Sequence, residues 1–229
     1  MNRVAALFFS AFIFFFVSCK SNKKDKPYAE TENIFLNYKI TANEGDDMLT
    51  VFLQYRDGED GDGLSINEPG KVTLDGEQVP KDSTKMSGYF YETYKPIETF
   101  AGTHHIVFIT DNSRQYKEDF VFKKFSLLTP VADTIHRGEL VFQFDGLNPD
   151  DRIRVLMTDT SFINDGINRV DNASDGRIVI TANELENLAN GPVQLEFIRE
   201  YEEPVKNGPK EGGRFRAAYS LRREFILVD

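Results

Sequence analysis

Four carboxylates stand within six positions in the run Asp57-Gly58-Glu59-Asp60-Gly61-Asp62-Gly63, directly after a stretch of apolar and aromatic residues. Like charges packed so closely repel unless they face water or share a cation. Calcium takes roughly 6–8 oxygen ligands, so Asp57, Glu59, Asp60 and Asp62 form a candidate Ca2+ loop, and Ca2+ is the one cofactor the chain suggests. The spacing is not that of an EF-hand. That loop needs Asp at its first position and Gly at its sixth, and counting back from Gly58, Gly61 and Gly63 lands on Leu53, Arg56 and Gly58. A solvated acidic loop with no ligand is the competing reading.

Other reactive side chains are more scattered. The three histidines are His104, His105 and His136. Neighbours on a strand point to opposite faces, so His104 and His105 are poorly placed to chelate one metal. No Gly-x-Ser-x-Gly elbow occurs, and no residue is assigned a catalytic role. Loops 160–176 and 202–213 are long for a compact domain. Asp165, Asp171 and Asp175 in the first of them fit no metal template, and variable surface loops account for both. Tyr89, Tyr91 and Tyr94 lie close enough to form an aromatic platform for a sugar, although an ordinary half-buried strand would place Tyr89 and Tyr91 on one face as well. The chain has no Trp, the best flat stacking surface.

The single cysteine, Cys19, excludes an intrachain disulfide. It follows an Arg3 start and an apolar run from Val4 to Val17, broken by Ser10, and it precedes the polar run Lys20-Ser21-Asn22-Lys23-Lys24-Asp25-Lys26. That order is a secretory signal. Fourteen residues fall short of the roughly 20 that a membrane-crossing helix needs. Phe16-Val17-Ser18-Cys19 resembles the bacterial lipoprotein signal, which implies lipidation of the Cys19 thiol, cleavage before it, and acyl chains such as palmitate at the mature N-terminus. A plain secretory signal with an incidental Cys is the alternative. Lys20 rather than Asp beside Cys19 favours the outer membrane, again by resemblance. Each buried CH2 of an acyl chain adds about 0.8 kcal/mol of membrane affinity, so the membrane would be held through lipid alone.

Removing residues 1–18 takes one basic side chain, Arg3, and moves the net charge from −10 to −11. So acidic a surface repels a phosphate backbone, which argues against nucleic acid as a partner. Six of the 20 Phe residues also leave with the signal.

Positioning these residues falls to strands. Residues 20–33 lack apolar periodicity and read as a flexible tether. From Ile34 onward the pattern has period two, with short runs rich in β-branched and aromatic residues: Ile34–Ile40, Leu49–Tyr55, Gly88–Glu92, His105–Ile109 and Asp119–Lys123. Asp75-Gly76 and Asp111-Asn112-Ser113 are turn signals. Beyond Thr129-Pro130 the same pattern restarts with Leu140–Phe144, Arg152–Met157, Arg177–Ile180, Val193–Ile198 and Tyr219–Val228. One short helix interrupts them, with Thr181 and Glu184 as a capping box, Leu185 and Leu188 on one face, and Gly191-Pro192 as its stop. The expected fold is all-β: two tandem immunoglobulin-like antiparallel β-sandwich domains, 34–128 and 129–229, behind a signal peptide (1–18) and a lipidated tether (19–33).

The stretch Tyr55 to Gly63 resembles a segment of uncharacterised lipoproteins of the Bacteroidota. Asp82-Ser83-Thr84 and Asp133-Thr134-Ile135 are similar to the O-glycosylation site of that group, which implies modification at Ser83 and Thr134. These readings converge on a non-enzymatic, lipid-anchored module of the cell envelope that binds or supports a protein or glycan partner. An accessory carbohydrate-binding lipoprotein of a glycan-uptake system is the alternative.

Overall fold

A computed structural model describes residues 33–161, 166–173 and 175–229. Cys19, the signal, most of the tether and Asp165 lie outside these residues. In chain order the first eight strands are β1 (Ile34–Asn43), β2 (Met48–Asp57), β3 (Lys71–Leu74), β4 (Glu77–Gln78), β5 (Lys81–Thr84), β6 (Gly88–Pro96), β7 (Gly102–Ile109) and β8 (Gln115–Phe122). There follow β9 (Ser126–Leu127), β10 (Thr134–His136), β11 (Leu140–Asp145), β12 (Arg152–Asp159), β13 (Ile167–Asn172) and β14 (Arg177–Ile180), then α1 (Ala182–Leu185), β15 (Gly191–Pro204) and β16 (Gly213–Val228). Among the described residues the chain is all-β, as expected, apart from one short helix. No helix of the described residues is long and apolar enough to cross a membrane.

Nine strands form one long back sheet in the order β13-β12-β15-β16-β1-β2-β6-β5, with β10 paired to β16 as well. Two smaller sheets cover its inner face. The sheet β4-β3-β7-β8 faces one half, and β14-β11-β9 faces the other. Period-two patterning fixes which side chains turn inward. On β1 these are Leu36, Tyr38, Ile40 and Ala42; on β2, Leu49, Val51, Leu53 and Tyr55; all are buried. Edge-on ring contacts fill the first layer, Tyr55 with Tyr91 at 5.4 Å and Tyr38 at 6.0 Å, and Phe142 and Phe144 close on Phe197 at 5.0 and 4.9 Å in the second. Burial pushes the Tyr38 and Tyr55 phenols well above their ordinary range.

β15 and β16 join the halves. The first eight residues of β16 pair in parallel with β1, Leu36 opposite Gly213 through Asn43 opposite Ser220. Its last three pair in parallel with β10, while β15 lies antiparallel along it from Gly191 to Pro204. The sheet therefore runs through the division that the sequence suggests at Thr129. Phe215 packs on Phe120 of β8 at 4.9 Å, the Tyr201 hydroxyl donates to the Val121 carbonyl at 3.4 Å, and the buried Glu118 accepts the Lys206 N–H at 2.9 Å. Residues 199–220 thus complete the sandwich to which the N-terminal strands belong.

The expected local signals form as read. Asp75-Gly76 makes the β3–β4 turn with both residues at positive φ (52° and 85°), and Ser113 turns β7 into β8 with φ 64°. Thr181 caps α1, its side chain accepting from the Glu184 N–H while Glu184 reaches back. α1 carries the chain from β14 in a facing sheet to β15 in the back sheet, with Leu185 and Leu188 buried.

Candidate functional site

All four carboxylates of the acidic run are exposed, and among the described residues no group of three or more His, Cys, Asp or Glu side chains converges to hold a metal. Cations of the chain itself approach instead. Arg56 Nε donates to the Gly61 carbonyl at 2.9 Å, and Arg214 stands 4.0 Å from Glu59. The glycines have their own reason. A Cβ on Gly63 would meet the Tyr89 carbonyl at 2.0 Å, and one on Gly61 would meet the Asp57 carbonyl at 2.0 Å. Gly63 bridges β2 and β6, donating to the Ser87 carbonyl and accepting from the Tyr89 N–H, both at 3.0 Å. The Gly-rich run is the seam by which the loop after β2 closes onto the β5–β6 hairpin.

The three tyrosines separate. Tyr91 is core; its hydroxyl accepts the Ile66 N–H at 2.7 Å, and burial pushes its phenol up to about 12. Tyr89, on the same face of β6 but beyond the facing sheet, is 43% exposed with the Lys81 ammonium 5.6 Å from its ring centroid. Tyr94 points to the outer face and is 56% exposed. It has company there that the sequence does not announce. Met48, Thr50 and Phe52 alternate with the buried positions of β2, and Phe90, Glu92, Tyr94 and Pro96 do the same on β6. Phe52 and Phe90 stack at 5.2 Å, and Met48 is 44% exposed opposite Pro96. The Tyr94 hydroxyl donates to Glu92 at 2.5 Å, and that bond raises its pKa. The outcome is an apolar and aromatic band on the outer face of β2–β6. The apolar run Val51-Phe52-Leu53 is the available signal, because a one-faced strand would alternate more strictly.

Farther along the same face, β12, β15 and β16 carry ion pairs. Arg216 reaches Glu202 through two nitrogens at 2.8 and 2.5 Å, Arg154 lies 3.6 Å from Glu200, and Arg222 lies 3.9 Å from Glu196. At the start of β12, Arg154, Glu200, Glu202 and Arg216 line a groove of 520 Å3, in which the largely buried Arg199 meets Asp151 at 3.0 Å. A second groove, of 470 Å3, lies at the far end of the sheet among Thr158, Pro192, Gln194, Glu224 and Ile226.

The remaining sequence candidates are placed as follows. His104 and His105 share the carboxylate of Asp75, with Nδ1 of each at 2.7 and 3.4 Å. His136 Nδ1 lies 2.6 Å from a main-chain oxygen of Asp229. Asp171 pairs with Arg169, which also holds Glu184 at 2.8 Å. Ser83, on edge strand β5, and Thr134, on β10, are both exposed.

No family model matches the chain, and no curated protein matches it. Among solved structures it is similar to the DIP-gamma IG1+IG2 pair, at 12% identity and a TM-score of 0.24 over 82% of this chain and 94% of that one. A titin A168169 structure gives 12% identity and 0.24 over 86% and 97%. The Yersinia pseudotuberculosis adhesin InvE gives 16% and 0.23 over 82% and 59%.

Proposed function

We propose that this chain is a non-enzymatic binding module of the cell envelope, held to the membrane through acylated Cys19, whose contact surface is the outer face of β2–β6. One observation carries the reading. Exposed Met48, Tyr94 and Pro96 and half-buried Phe52 and Phe90 cluster at one end of a sheet whose outer face along β12, β15 and β16 carries ion pairs. Contiguous exposed apolar surface on a soluble domain marks a contact site far more often than scattered single residues do. The lipid and the tether from residue 19 to residue 33 would leave this face free in the aqueous compartment next to the membrane.

Photo-crosslinking in cells tests the assignment, with a photoreactive residue placed at position 94 and, as a control, at position 222 in the ionic half. Adducts from position 94 and none from 222 are expected. Equal yields from both would overturn it. For the anchor, the intact mass of the membrane-extracted protein should show an acylated N-terminus at Cys19, and Cys19→Ala should move the protein into the soluble fraction.

A second reading is supported by Tyr94 itself. Its ring is exposed and the Glu92 carboxylate sits beside it, which offers a stacking face together with a hydroxyl acceptor, the pairing that suits a neutral sugar. A glycan array probed with the wild type and Tyr94→Ala separates the two readings. Retention that disappears in the variant makes the partner a carbohydrate, and an empty array beside a position-94 adduct makes it a protein.

A further inference from the structure

The tripeptide Asn-Gly-Pro occurs twice, at Asn190-Gly191-Pro192 and at Asn207-Gly208-Pro209, and the fold treats the two copies differently. An asparagine followed by glycine carries its own reaction partner. Once the glycine N–H has lost its proton to solvent base, that nitrogen adds to the asparagine side-chain carbonyl carbon, and the side-chain nitrogen leaves as ammonia. Glycine favours the step because no Cβ crowds the attack and its backbone turns freely. Water then opens the cyclic imide at either carbonyl, giving aspartate or, with the chain rerouted through the side chain, isoaspartate. One water is consumed and one ammonia released, so no oxidant or reductant is needed.

Asn190 is held out of that geometry. Its Oδ1 accepts from Arg137 Nη2 at 2.7 Å, and Gly191 lies in the β15 ladder opposite Leu227. Asn207 has neither restraint. It is exposed in the connection between β15 and β16, where Asn207 and Gly208 belong to no strand. Among the described residues, neither the Asn207 side chain nor the Gly208 N–H has a hydrogen-bond partner. We infer that Asn207 is a site of deamidation by its own chain, and that the isoaspartyl product slackens the strap that completes the first sandwich.

The flanks give the modification its consequence. Val205 is buried and its N–H donates to the Gly213 carbonyl at 3.0 Å, while the Lys206 N–H donates to the buried Glu118 at 2.9 Å. On the other side Pro209 is buried, and its carbonyl accepts the Gly212 N–H at 2.9 Å. Asn207 and Gly208 are the free chain between these anchors. Isoaspartate adds one methylene to the main chain there and leaves a carboxylate beside Lys206, so the added length falls on the Lys206–Glu118 contact one residue away. Gly208 supplies the control. Its φ lies outside the left-handed region, and a Cβ on it comes no nearer than 3.5 Å to the Gly212 carbonyl oxygen or the Leu36 side chain. Gly208→Ala therefore fits the fold while crowding the attacking nitrogen.

Wild type, Gly208→Ala and Asn207→Asp, aged in mildly alkaline buffer with and without urea and mapped by peptide mass spectrometry, test the site. In native buffer Asn207 should deamidate faster than Asn190 by about tenfold or more, because Asn190 reacts only from locally opened molecules. In urea the two copies of the same tripeptide should react at similar rates, and Gly208→Ala should lose most of the reaction at Asn207. Equal native rates, an intact Asn207, or a gap that persists in urea overturns the assignment. Hydrogen exchange tests the slackening. The Lys206 amide should exchange faster in the isoaspartyl fraction of aged wild type than in Asn207→Asp, which carries the charge without the added methylene, and equal exchange in the two overturns it.

Discussion

The two sandwiches are built from unequal shares of the chain. The second uses only strands from β9 onward: β14-β11-β9 cover β13, β12, β15 and the end of β16. The first is assembled from β1 to β8 and then borrows residues 199–220 from the far end of the sequence, with Phe215 against Phe120 and Glu118 holding the Lys206 N–H. Early translation therefore yields only an incomplete first sandwich, whose β1 edge waits for β16. The difference teaches that the two halves are coupled by one continuous hairpin rather than by a linker, and that damage near the C-terminus is felt near the N-terminus.

The most severe test of this coupling is Ala217→Pro. Residue 217 pairs with Ile40 on one side and Tyr201 on the other, and a proline in mid-sheet removes a ladder N–H and clashes, at a cost of about 3 kcal/mol or more. Circular dichroism and proton NMR should show both sandwiches lost together. A variant in which the second sandwich keeps its dispersed methyl signals would break the comparison. Next in size are Phe215→Ala in the borrowed strand and Phe197→Ala in the second core, each expected to cost about 3–5 kcal/mol. In denaturant both should unfold in a single transition, and a second transition in either would show that the halves are separable.

Gly63→Ala probes a local device of the first sandwich. Forcing a Cβ against the Tyr89 carbonyl should cost about 1–3 kcal/mol in a urea titration. The local device to probe in the second sandwich is the helix cap. Thr181→Ala should cost about 1 kcal/mol, and its effect depends on pH. Burial opposes ionisation of Glu184, but the hydrogen bonds from Thr181 and the charge of Arg169 outweigh it and hold this carboxyl below its usual value. The cap therefore stabilises at neutral pH and weakens as pH falls through the Glu184 titration, so the gap between wild type and variant should close in acid. The smallest expected effect is that of Tyr94→Ala on stability, within about 0.5 kcal/mol in either direction. That near-zero value makes the variant a clean probe of binding.

Much of the local structure was legible in advance because it depends on short-range rules. Strand cores, the Asp75-Gly76 turn and the Thr181 cap each follow from a few adjacent residues. A restart of the same pattern marks a boundary at Thr129, and nothing nearby announces that residues 213–220 return to pair with β1. The candidate surface was only partly legible. Tyr94 was among the residues singled out, but its grouping with Tyr89 and Tyr91 rested on sequence proximity, whereas strand pleating sends Tyr94 to the opposite face and the cross-strand register brings it near Phe52 and Met48. The acidic run drew attention through its charge, while its glycines answer to the close passage of β2 and β6.

The sequence alone determined the all-β class, the order of the strands and the alternation that divides each into an inner and an outer face, because these follow from residue-level sterics and period-two burial. Tertiary structure decided which strands meet. Pairing of β1 with β16, the shared carboxylate under His104 and His105, and the gathering of an aromatic band beside an ionic one all join residues far apart in the chain. The physical reason is that contacts of this kind are selected by the free energy of the whole packed arrangement, so no local window of the sequence contains them.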